Sequence, residues 1–234
     1  MKQPKIPRHI SIILDGNRRY SKKLGMKVWQ GHKFGTEKVK DILEWCLELK
    51  IKELTLYSFS MDNFKRPEKE KKVLFSLFKK SIDKLKNDER LDKYGIRISF
   101  IGRLGKFPEN IQKEMDAVMR QTSKNKKFRL NFAMAYSGKA EITDALKKII
   151  GKIKKNKIKM EDIDENLVGE NLYLNSNPDI LIRPGGEKRI SDFLLWQISY
   201  SEIFFIEKLW PEFTKEDLIE VIREFNQRER RFGK

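Results

Sequence analysis

Short apolar runs alternate with longer amphipathic stretches along the whole chain. Six runs are rich in Ile, Leu and Phe and mostly apolar at successive positions, as in strands covered on both faces. They predict strands at Ile10–Leu14, Leu54–Phe59, Ile96–Ile101, Phe128–Ala135, Ile180–Ile182 and Ile203–Ile206. Helical spacing between them predicts helices near Arg18, over Thr36–Leu49, after Pro67, after Pro108, over Glu141–Ile150 and from Thr214.

This alternation indicates the α/β class, with a mostly parallel central sheet of about six strands and helices on both faces. The length of 234 residues suits a single domain spanning residues 1–234. The one cysteine, Cys46, excludes an internal disulfide and a cysteine-based zinc site. The run at Ile10–Leu14 is too short for a signal peptide or a membrane span, so we predict a cytosolic protein, with association at a membrane surface left open.

The charge changes the picture, because Lys and Arg exceed Asp and Glu by 17. Such an excess suits nucleic acid, an anionic membrane surface or a polyanionic small substrate, and a Lys-rich proteome would also produce it. The stretch Lys147–Lys159 is most simply a solvated helix end, with contact to a membrane surface or an anion as the alternative.

Three predicted strands end in polar segments broken by Gly or Pro. In a parallel sheet the carboxyl ends of the strands share one edge, where ligands normally bind. The first segment contains Asp15, Gly16 and Asn17 at a strand-to-helix turn, followed by Arg19. A helix start favours a phosphate, and Asp15 could hold Mg²⁺ against it. The alternative is a turn in which Asp15 only caps the helix.

The other two segments add hydrogen-bonding groups and arginines. Ser60 and Asn63 follow the second strand and suit substrate positioning or proton relay, although Ser60 could simply cap the next helix. Arg183, Arg189 and Ser191 surround a Pro-Gly-Gly turn and suit a diphosphate clamp. Pairing of these arginines with the nearby Glu187 on the surface is the alternative.

Together the three segments fit two polyphosphates steadied by a single Mg²⁺. Hydrolysis by paired carboxylates fits poorly, and with only His9 and His32 so does a Ser-His-Asp arrangement. No Gly-rich Lys-Ser/Thr phosphate loop is visible. A basic nucleic-acid-binding module remains a rival because of the charge, although no motif of that kind is visible.

With these residues laid out, the chain resembles the cis-prenyltransferase family, the undecaprenyl and dehydrodolichyl diphosphate synthases, in its archaeal- or eukaryotic-like branch. The resemblance runs from about Ile6 to Gly233. It is carried by the segments DGNRRY at 15–20, GH at 31–32, FSMDNFKRP at 59–67, RPGGEKRISDFLLWQ at 183–197, and SEIFFIEKLWPEF through RERRFG.

The resemblance implies a Mg²⁺-dependent enzyme that condenses isopentenyl diphosphate onto farnesyl or geranylgeranyl diphosphate, giving a polyprenyl diphosphate for a glycosyl carrier lipid. A shorter product is the alternative. Asp15 would bind Mg²⁺ with support from Glu202, and Asn63, Asn17 or the diphosphate would relay the proton. The allylic diphosphate would be cradled by Gly16, Asn17, Arg18 and Arg19, with His32 nearby. The reacting centre would be lined by Ser60, Asn63, Phe64, Arg66 and Glu70.

Isopentenyl diphosphate would be held by Arg183, Arg189 and Ser191. The tail residues Arg231 and Gly233 would reach into a partner's site, which implies a homodimer. Many members carry an arginine where Val28 stands, and Lys27 is a candidate substitute. Tyr20 and Phe64 stand where bacterial members often carry Trp. The growing chain would need an apolar tunnel, with the candidate wall residues Phe75, Phe78, Ile82, Phe100, Phe132 and Met134.

Overall fold

The structure is a computed structural model that describes residues 5–228. These residues form one sheet of six parallel strands in the order β3-β4-β2-β1-β5-β6. The strands are β1 (His9–Ile13), β2 (Glu53–Ser60), β3 (Ile96–Ile101), β4 (Phe128–Tyr136), β5 (Ile180–Pro184) and β6 (Glu202–Ile206). The predicted α/β class and the six predicted strands are confirmed.

Eight α-helices occur within residues 5–228, and most connect one strand to the next. They are α1 (Asn17–Lys23), α2 (Gly31–Glu48), α3 (Glu68–Lys86), α4 (Arg90–Lys93), α5 (Glu109–Gln121), α6 (Gly138–Lys154), α7 (Glu165–Asn171) and α8 (Lys215–Gln227). The six predicted helices are confirmed. The short helices α4 and α7 escaped prediction because neither spans enough turns to show an apolar period.

The sheet is covered on both faces, which explains why its strands are apolar at successive positions. All five residues of β1 are buried. Ile10 and Ile12 belong to a large core shared with α2, α3, α5 and α8, whereas Ile13 belongs to a smaller core with Phe193. Because neighbouring residues of a strand point to opposite faces, these two cores lie on opposite sides of the sheet.

The strand order places the three polar segments together. Strands β2, β1 and β5 are direct neighbours, so the segments that follow them meet at the carboxyl edge of the sheet. The expectation that these segments share one edge is therefore confirmed. No helix within residues 5–228 is both long and apolar enough to cross a membrane.

Candidate active site

The turn after β1 is fixed by its glycine and by a distant backbone contact. Gly16 has φ 107°, and a Cβ atom at this position would lie 2.8 Å from Cβ of Leu209. The Trp210 N–H donates to the Asp15 carbonyl at 2.8 Å. Helix α1 then begins at Asn17, so the side chains of Asp15 and Asn17 both face the carboxyl edge.

A first group of side chains, here named the Asp15 cluster, comprises Asp15, Arg19, Arg183 and Ser191. Asp15 Oδ2 accepts from Arg183 Nη2 at 2.8 Å, and its Oδ1 lies 3.2 Å from Arg19 Nη2. Arg183 Nη1 donates to Ser191 Oγ at 2.8 Å and also to the Arg189 carbonyl. Arg183 is only 4% exposed, so it joins the ends of β1 and β5 with little freedom to move.

The Pro-Gly-Gly turn lets Arg19 approach the backbone. Arg19 Nη1 donates to the Gly185 carbonyl at 2.6 Å. A Cβ atom on Gly185, whose φ is 103°, would lie 2.6 Å from Arg19 Nη2. The side chain of Arg189 is more exposed and donates to Glu187 Oε2 at 2.5 Å. Of the two arginines for which pairing with Glu187 was the alternative, Arg189 forms this pair and Arg183 does not.

A second group, here named the Glu70 cluster, comprises Arg18, His32, Arg66 and Glu70. Glu70 Oε1 lies 3.1 Å from Arg66 Nη1, 3.3 Å from His32 Nε2 and 3.8 Å from Arg18 Nε. Burial lowers the pKa of His32 below its ordinary value of 6.5, and the positive charge of Arg66 lowers it further. His32 is therefore neutral at neutral pH and can act as an acceptor or a donor.

Both clusters contribute to the wall of one large cavity, here named the main cavity, of about 1170 Å³. Its polar mouth is formed by Asp15, Asn17, His32, Ser60, Asn63, Arg66, Arg183, Arg189 and Ser191. Its middle part is apolar and contains five of the six predicted wall residues, namely Phe78, Ile82, Phe100, Phe132 and Met134. The end away from the mouth is lined by charged and polar side chains, namely Asp83, Lys84, Asn87, Asp88, Glu89 and Arg90. Phe75 instead packs against Phe107, with ring centroids 5.4 Å apart.

Some predicted site residues have other neighbours. Phe64 packs edge-on against Phe59, outside the wall of the main cavity. Tyr20 packs edge-on against Phe34. Lys27 is exposed and its Nζ lies 5.7 Å from the centre of the Trp29 ring, so it joins neither cluster. Asn63 Oδ1 accepts from the Ser60 N–H at 3.1 Å, which holds the turn after β2.

Glu202 requires a correction. It lies at the amino end of β6 and is level with Ile180 and Ile10, whereas Asp15 follows the carboxyl end of β1. At a rise of about 3.3 Å per residue, the two carboxylates are separated by roughly 16 Å along the strands. Glu202 instead accepts from Arg228 Nη1 at 2.8 Å. It cannot be a ligand of a metal held by Asp15 of the same chain. Arg231 and Gly233 lie outside the described residues.

Two residues that the sequence did not single out hold the loop after β5. The Tyr57 ring stacks on Phe193 at 4.5 Å, and its hydroxyl donates to the Ser191 carbonyl at 3.3 Å. Ser191 and Asp192 have φ values of 51° and 63°, and Asp192 Oδ1 accepts from the Lys139 N–H at 3.1 Å. A ring with a polar hydroxyl near the carboxyl end of the second predicted strand was the signal that could have identified Tyr57.

The site offers a magnesium ion few protein ligands. Within residues 5–228, no group of three or more His, Cys, Asp or Glu side chains could hold a metal. Asp15 is a single carboxylate, and Asn17 adds a buried Oδ1 without a hydrogen-bond partner. Because Mg²⁺ is often bound by one or two carboxylates together with substrate phosphates, this donor set fits an ion carried largely by diphosphates.

Comparison with known proteins agrees with this geometry. The family model described as putative undecaprenyl diphosphate synthase matches residues 13–233. The chain is 48% identical to the tritrans,polycis-undecaprenyl-diphosphate synthase (geranylgeranyl-diphosphate specific) of Thermococcus kodakarensis, covering 100% of this chain and 89% of that protein. It is 40% identical to the isoprenyl transferase of Thermus thermophilus, covering 100% of this chain and 91% of that one.

Solved structures show the same fold. Lavandulyl diphosphate synthase from Lavandula x intermedia, in complex with dimethylallyl diphosphate, superposes with a TM-score of 0.93 at 33% identity, covering 98% of this chain and 99% of that one. A probable undecaprenyl diphosphate synthase from Campylobacter jejuni gives a TM-score of 0.81 at 31% identity, covering 98% and 100%. Since the family model matches nearly the whole chain, this protein belongs to the undecaprenyl diphosphate synthase family of prenyltransferases.

Proposed function

We propose that this protein condenses isopentenyl diphosphate onto an allylic diphosphate, with each new double bond in the cis configuration, to give a long polyprenyl diphosphate. The observation that carries the proposal is the main cavity, whose mouth is cationic and whose middle part is apolar. Its volume of about 1170 Å³ exceeds the roughly 300–1,000 Å³ usual for small-molecule sites. A diphosphate with a long hydrocarbon tail suits both parts.

Two diphosphates share the mouth of the main cavity. In this proposal Arg183, Arg189 and Ser191 hold isopentenyl diphosphate, because they lie together after β5. The allylic diphosphate lies over Gly16–Arg19, beside His32 of the Glu70 cluster. Arg183 and Arg19 both contact Asp15, so the two substrates would meet at that carboxylate.

The reaction separates charge as the allylic carbon–oxygen bond breaks. Negative charge grows on the departing diphosphate, and prepositioned arginines stabilise it without reorganising. Asp15 and Asn17 are the residues that would hold a Mg²⁺ ion there, and the ion would add charge neutralisation on the leaving group. The double bond of isopentenyl diphosphate attacks the allylic carbon, and a proton is then lost.

The hydrogen bonds of Asn17 and Asn63 narrow the choice of proton acceptor. Asn63 Oδ1 is already engaged with the Ser60 N–H, so Asn63 would position substrate through its amide N–H groups. Asn17 Oδ1 is buried and without a partner, and its Nδ2 donates to the Leu14 carbonyl at 3.2 Å. With Asn17 Oδ1 assigned to the metal and Asn63 Oδ1 to the turn after β2, the diphosphate oxygens are the proton acceptors that we favour.

The apolar middle part of the main cavity supports a long product. Each isoprene unit adds five carbons, worth roughly 4 kcal/mol of burial at about 0.8 per methylene-sized group. Relatives of one fold are named for different products, so the fold alone does not set chain length. Several archaeal relatives are named as geranylgeranyl-diphosphate specific, and we extend that primer preference to this chain. A role in making the glycosyl carrier lipid, a homodimeric state and a cytosolic location belong to the same proposal.

Product analysis tests this function. The protein would be incubated with Mg²⁺, isotopically labelled isopentenyl diphosphate and either geranylgeranyl or farnesyl diphosphate, and the dephosphorylated products sized and checked for double-bond geometry. The expected result is a ladder of long cis polyprenols, with higher kcat/KM for geranylgeranyl diphosphate. A single short product would favour the shorter-chain alternative, and trans double bonds or no condensation would contradict the proposal.

A further inference from the structure

A second concave surface lies at the amino edge of the sheet, far from the main cavity. This amino-edge cleft has a volume of about 660 Å³ and no carboxylate in its wall. Its charged residues are Arg8, Lys52, Arg97, Lys126, Lys127 and Arg129. Six cations around one depression, with no acid among the lining residues, form a strong local positive potential.

Most of these cations lack a counter-ion within the described part of the chain. Of the six, only Arg129 forms an ion pair with another residue in the range 5–228. Its partner Glu53 is 1% exposed and also accepts from Asn131 Nδ2 at 2.8 Å and Ser176 Oγ at 2.7 Å. Arg129 is therefore held in place in the wall of the cleft, whereas the other cations are available to an external anion.

Prenyl transfer does not account for this charge. Residues of the cleft precede or begin strands, whereas both diphosphate clusters follow strand ends. The eight residues of β2 separate the two edges by about 26 Å, at roughly 3.3 Å per residue. The cleft is thus too distant to touch a diphosphate held at Asp15.

The surroundings of the cleft indicate what kind of anion it faces. Asn125, which lines the cleft, donates from its Nδ2 to the Leu91 carbonyl at 3.0 Å. Arg90, which precedes Leu91 in the chain, lines the far end of the main cavity. Tyr94 is 40% exposed, and the neighbouring Gly95 carbonyl accepts from the Lys127 N–H at 3.0 Å. Exposed tyrosine beside basic residues is typical of surfaces that meet the headgroup region of a membrane.

We propose that the amino-edge cleft binds the phosphate groups of anionic phospholipids and so seats the protein on a membrane surface. The far end of the main cavity would then face the lipid. This orientation, which rests on the proposed function, would bring the charged far end of the cavity, at Asp83, Lys84 and Arg90, to the membrane surface. A nucleic acid fits less well, because one exposed aromatic ring offers little base stacking along a strand.

Vesicle sedimentation without substrates tests the cleft directly. The probes are mixed phosphatidylcholine–phosphatidylglycerol vesicles and pure phosphatidylcholine vesicles. We expect the unmodified protein to bind only the mixed vesicles, and the triple variant Arg97→Glu, Lys126→Glu, Lys127→Glu to bind them at least about 100-fold less, since each cation near an anionic surface contributes roughly fivefold. The triple variant Lys154→Glu, Lys155→Glu, Lys157→Glu carries the same charge change at the end of α6 and should bind nearly as well as the unmodified protein.

Three other outcomes would overturn the assignment of the cleft. Equal losses in the two triple variants would indicate bulk charge rather than the cleft. Calorimetric binding of inorganic phosphate without vesicle binding would indicate a soluble anion, and tighter binding of short duplex DNA than of vesicles would indicate nucleic acid. Turnover of the cleft variant in vesicle-free buffer should equal that of the unmodified protein. If vesicle binding depended on the cleft but the protein catalysed no prenyl transfer, the proposed function would be contradicted and the assignment of the cleft would still hold.

Discussion

Arg183 donates to Asp15 at 2.8 Å and is itself almost fully buried, so the guanidinium and the carboxylate form one unit at the junction of β1 and β5. The same guanidinium holds Ser191 at 2.8 Å. It also donates to the Arg189 carbonyl, so its planar fork fixes three groups that follow the ends of β1 and β5. The mouth of the main cavity is prepared for anions before any substrate arrives.

The fork of Arg183 should matter more than its charge. Arg183→Lys keeps the positive charge but cannot contact Asp15 and Ser191 together. Loss of one charge-assisted hydrogen bond costs about 1.5–3 kcal/mol, so we expect KM for isopentenyl diphosphate to rise about 10- to 100-fold. Steady-state kinetics with varied isopentenyl diphosphate would measure it. Arg223→Lys, which alters an exposed ion pair with Glu220, is the matched control. An unchanged KM in Arg183→Lys would contradict a role of Arg183 in binding isopentenyl diphosphate.

Filling the main cavity should shorten the product. Ser81 lies in the cavity wall on α3, whereas its neighbour Lys80 faces solvent. Ser81→Trp would occupy room that several isoprene units need, so we expect shorter chains with condensation itself retained. Lys80→Trp, one residue away on the same helix, should leave the distribution unchanged. Identical product lengths for both variants would show that the chain does not grow through this cavity.

Gly35 is expected to protect the position of Asn17. A Cβ atom on Gly35 would lie 2.1 Å from Asn17 Oδ1. Gly35→Ala should therefore displace the amide, costing about 1–3 kcal/mol of unfolding free energy and roughly 100-fold in turnover. Gly105→Ala, where nothing lies within 4 Å, is the control. Urea unfolding and turnover per folded molecule would be compared, and normal turnover in Gly35→Ala would contradict a role for Asn17.

The stability of the fold should depend on pH through His9. This side chain is 2% exposed, and its Nε2 lies 2.7 Å from Thr55 Oγ1. Burial lowers its pKa from 6.5 to about 4, so in this window the unfolded chain binds more protons than the folded one. The free energy of unfolding therefore falls as pH drops from about 6.5 to about 4.

The size of that effect can be isolated with one variant. For the pKa values given, the loss at about pH 5 relative to about pH 7.5 is about 2 kcal/mol. His9→Gln keeps a hydrogen-bonding side chain but removes the titration, so its loss over the same range should be smaller by about that amount. Urea unfolding at both pH values measures this, and an equal loss in both proteins would place the acid sensitivity elsewhere.

Much of the fold was predictable because its strands and helices differ clearly in apolar period. The six strands were identified from runs such as Ile96–Ile101, whose bounds were predicted without error. The capping box formed by Thr214 and Asp217 marks the start of α8, as the helix pattern indicated. Helix α7 was missed because its seven residues lie in a polar stretch with a single capping residue, Asp164.

The site was predictable only in part. The polar ends of β1, β2 and β5 could be placed together, since parallel strands share an edge. The pairing of Glu70 with His32 could not, because it depends on how α2 and α3 pack, whereas Arg66 lies only four residues before Glu70. Glu202 was misplaced because its role came from the resemblance alone. Its position at the start of the strand that includes Ile203–Ile206 already indicated the amino edge of the sheet. The hydrogen bond from the Ser60 N–H to Asn63 Oδ1 could be recognised only in the structure.

Measuring kcat after replacement of the Asp15 carboxylate tests the proposed site most directly. Asp15→Asn removes one negative charge while keeping the shape of the side chain, and Asp116→Asn is a matched control because each aspartate pairs with an arginine four residues later. With Mg²⁺ and both diphosphates at saturating concentration, we expect Asp15→Asn to lower kcat by at least about 100-fold and Asp116→Asn to leave it unchanged. A folded Asp15→Asn protein with kcat near that of the unmodified enzyme would contradict the proposed site.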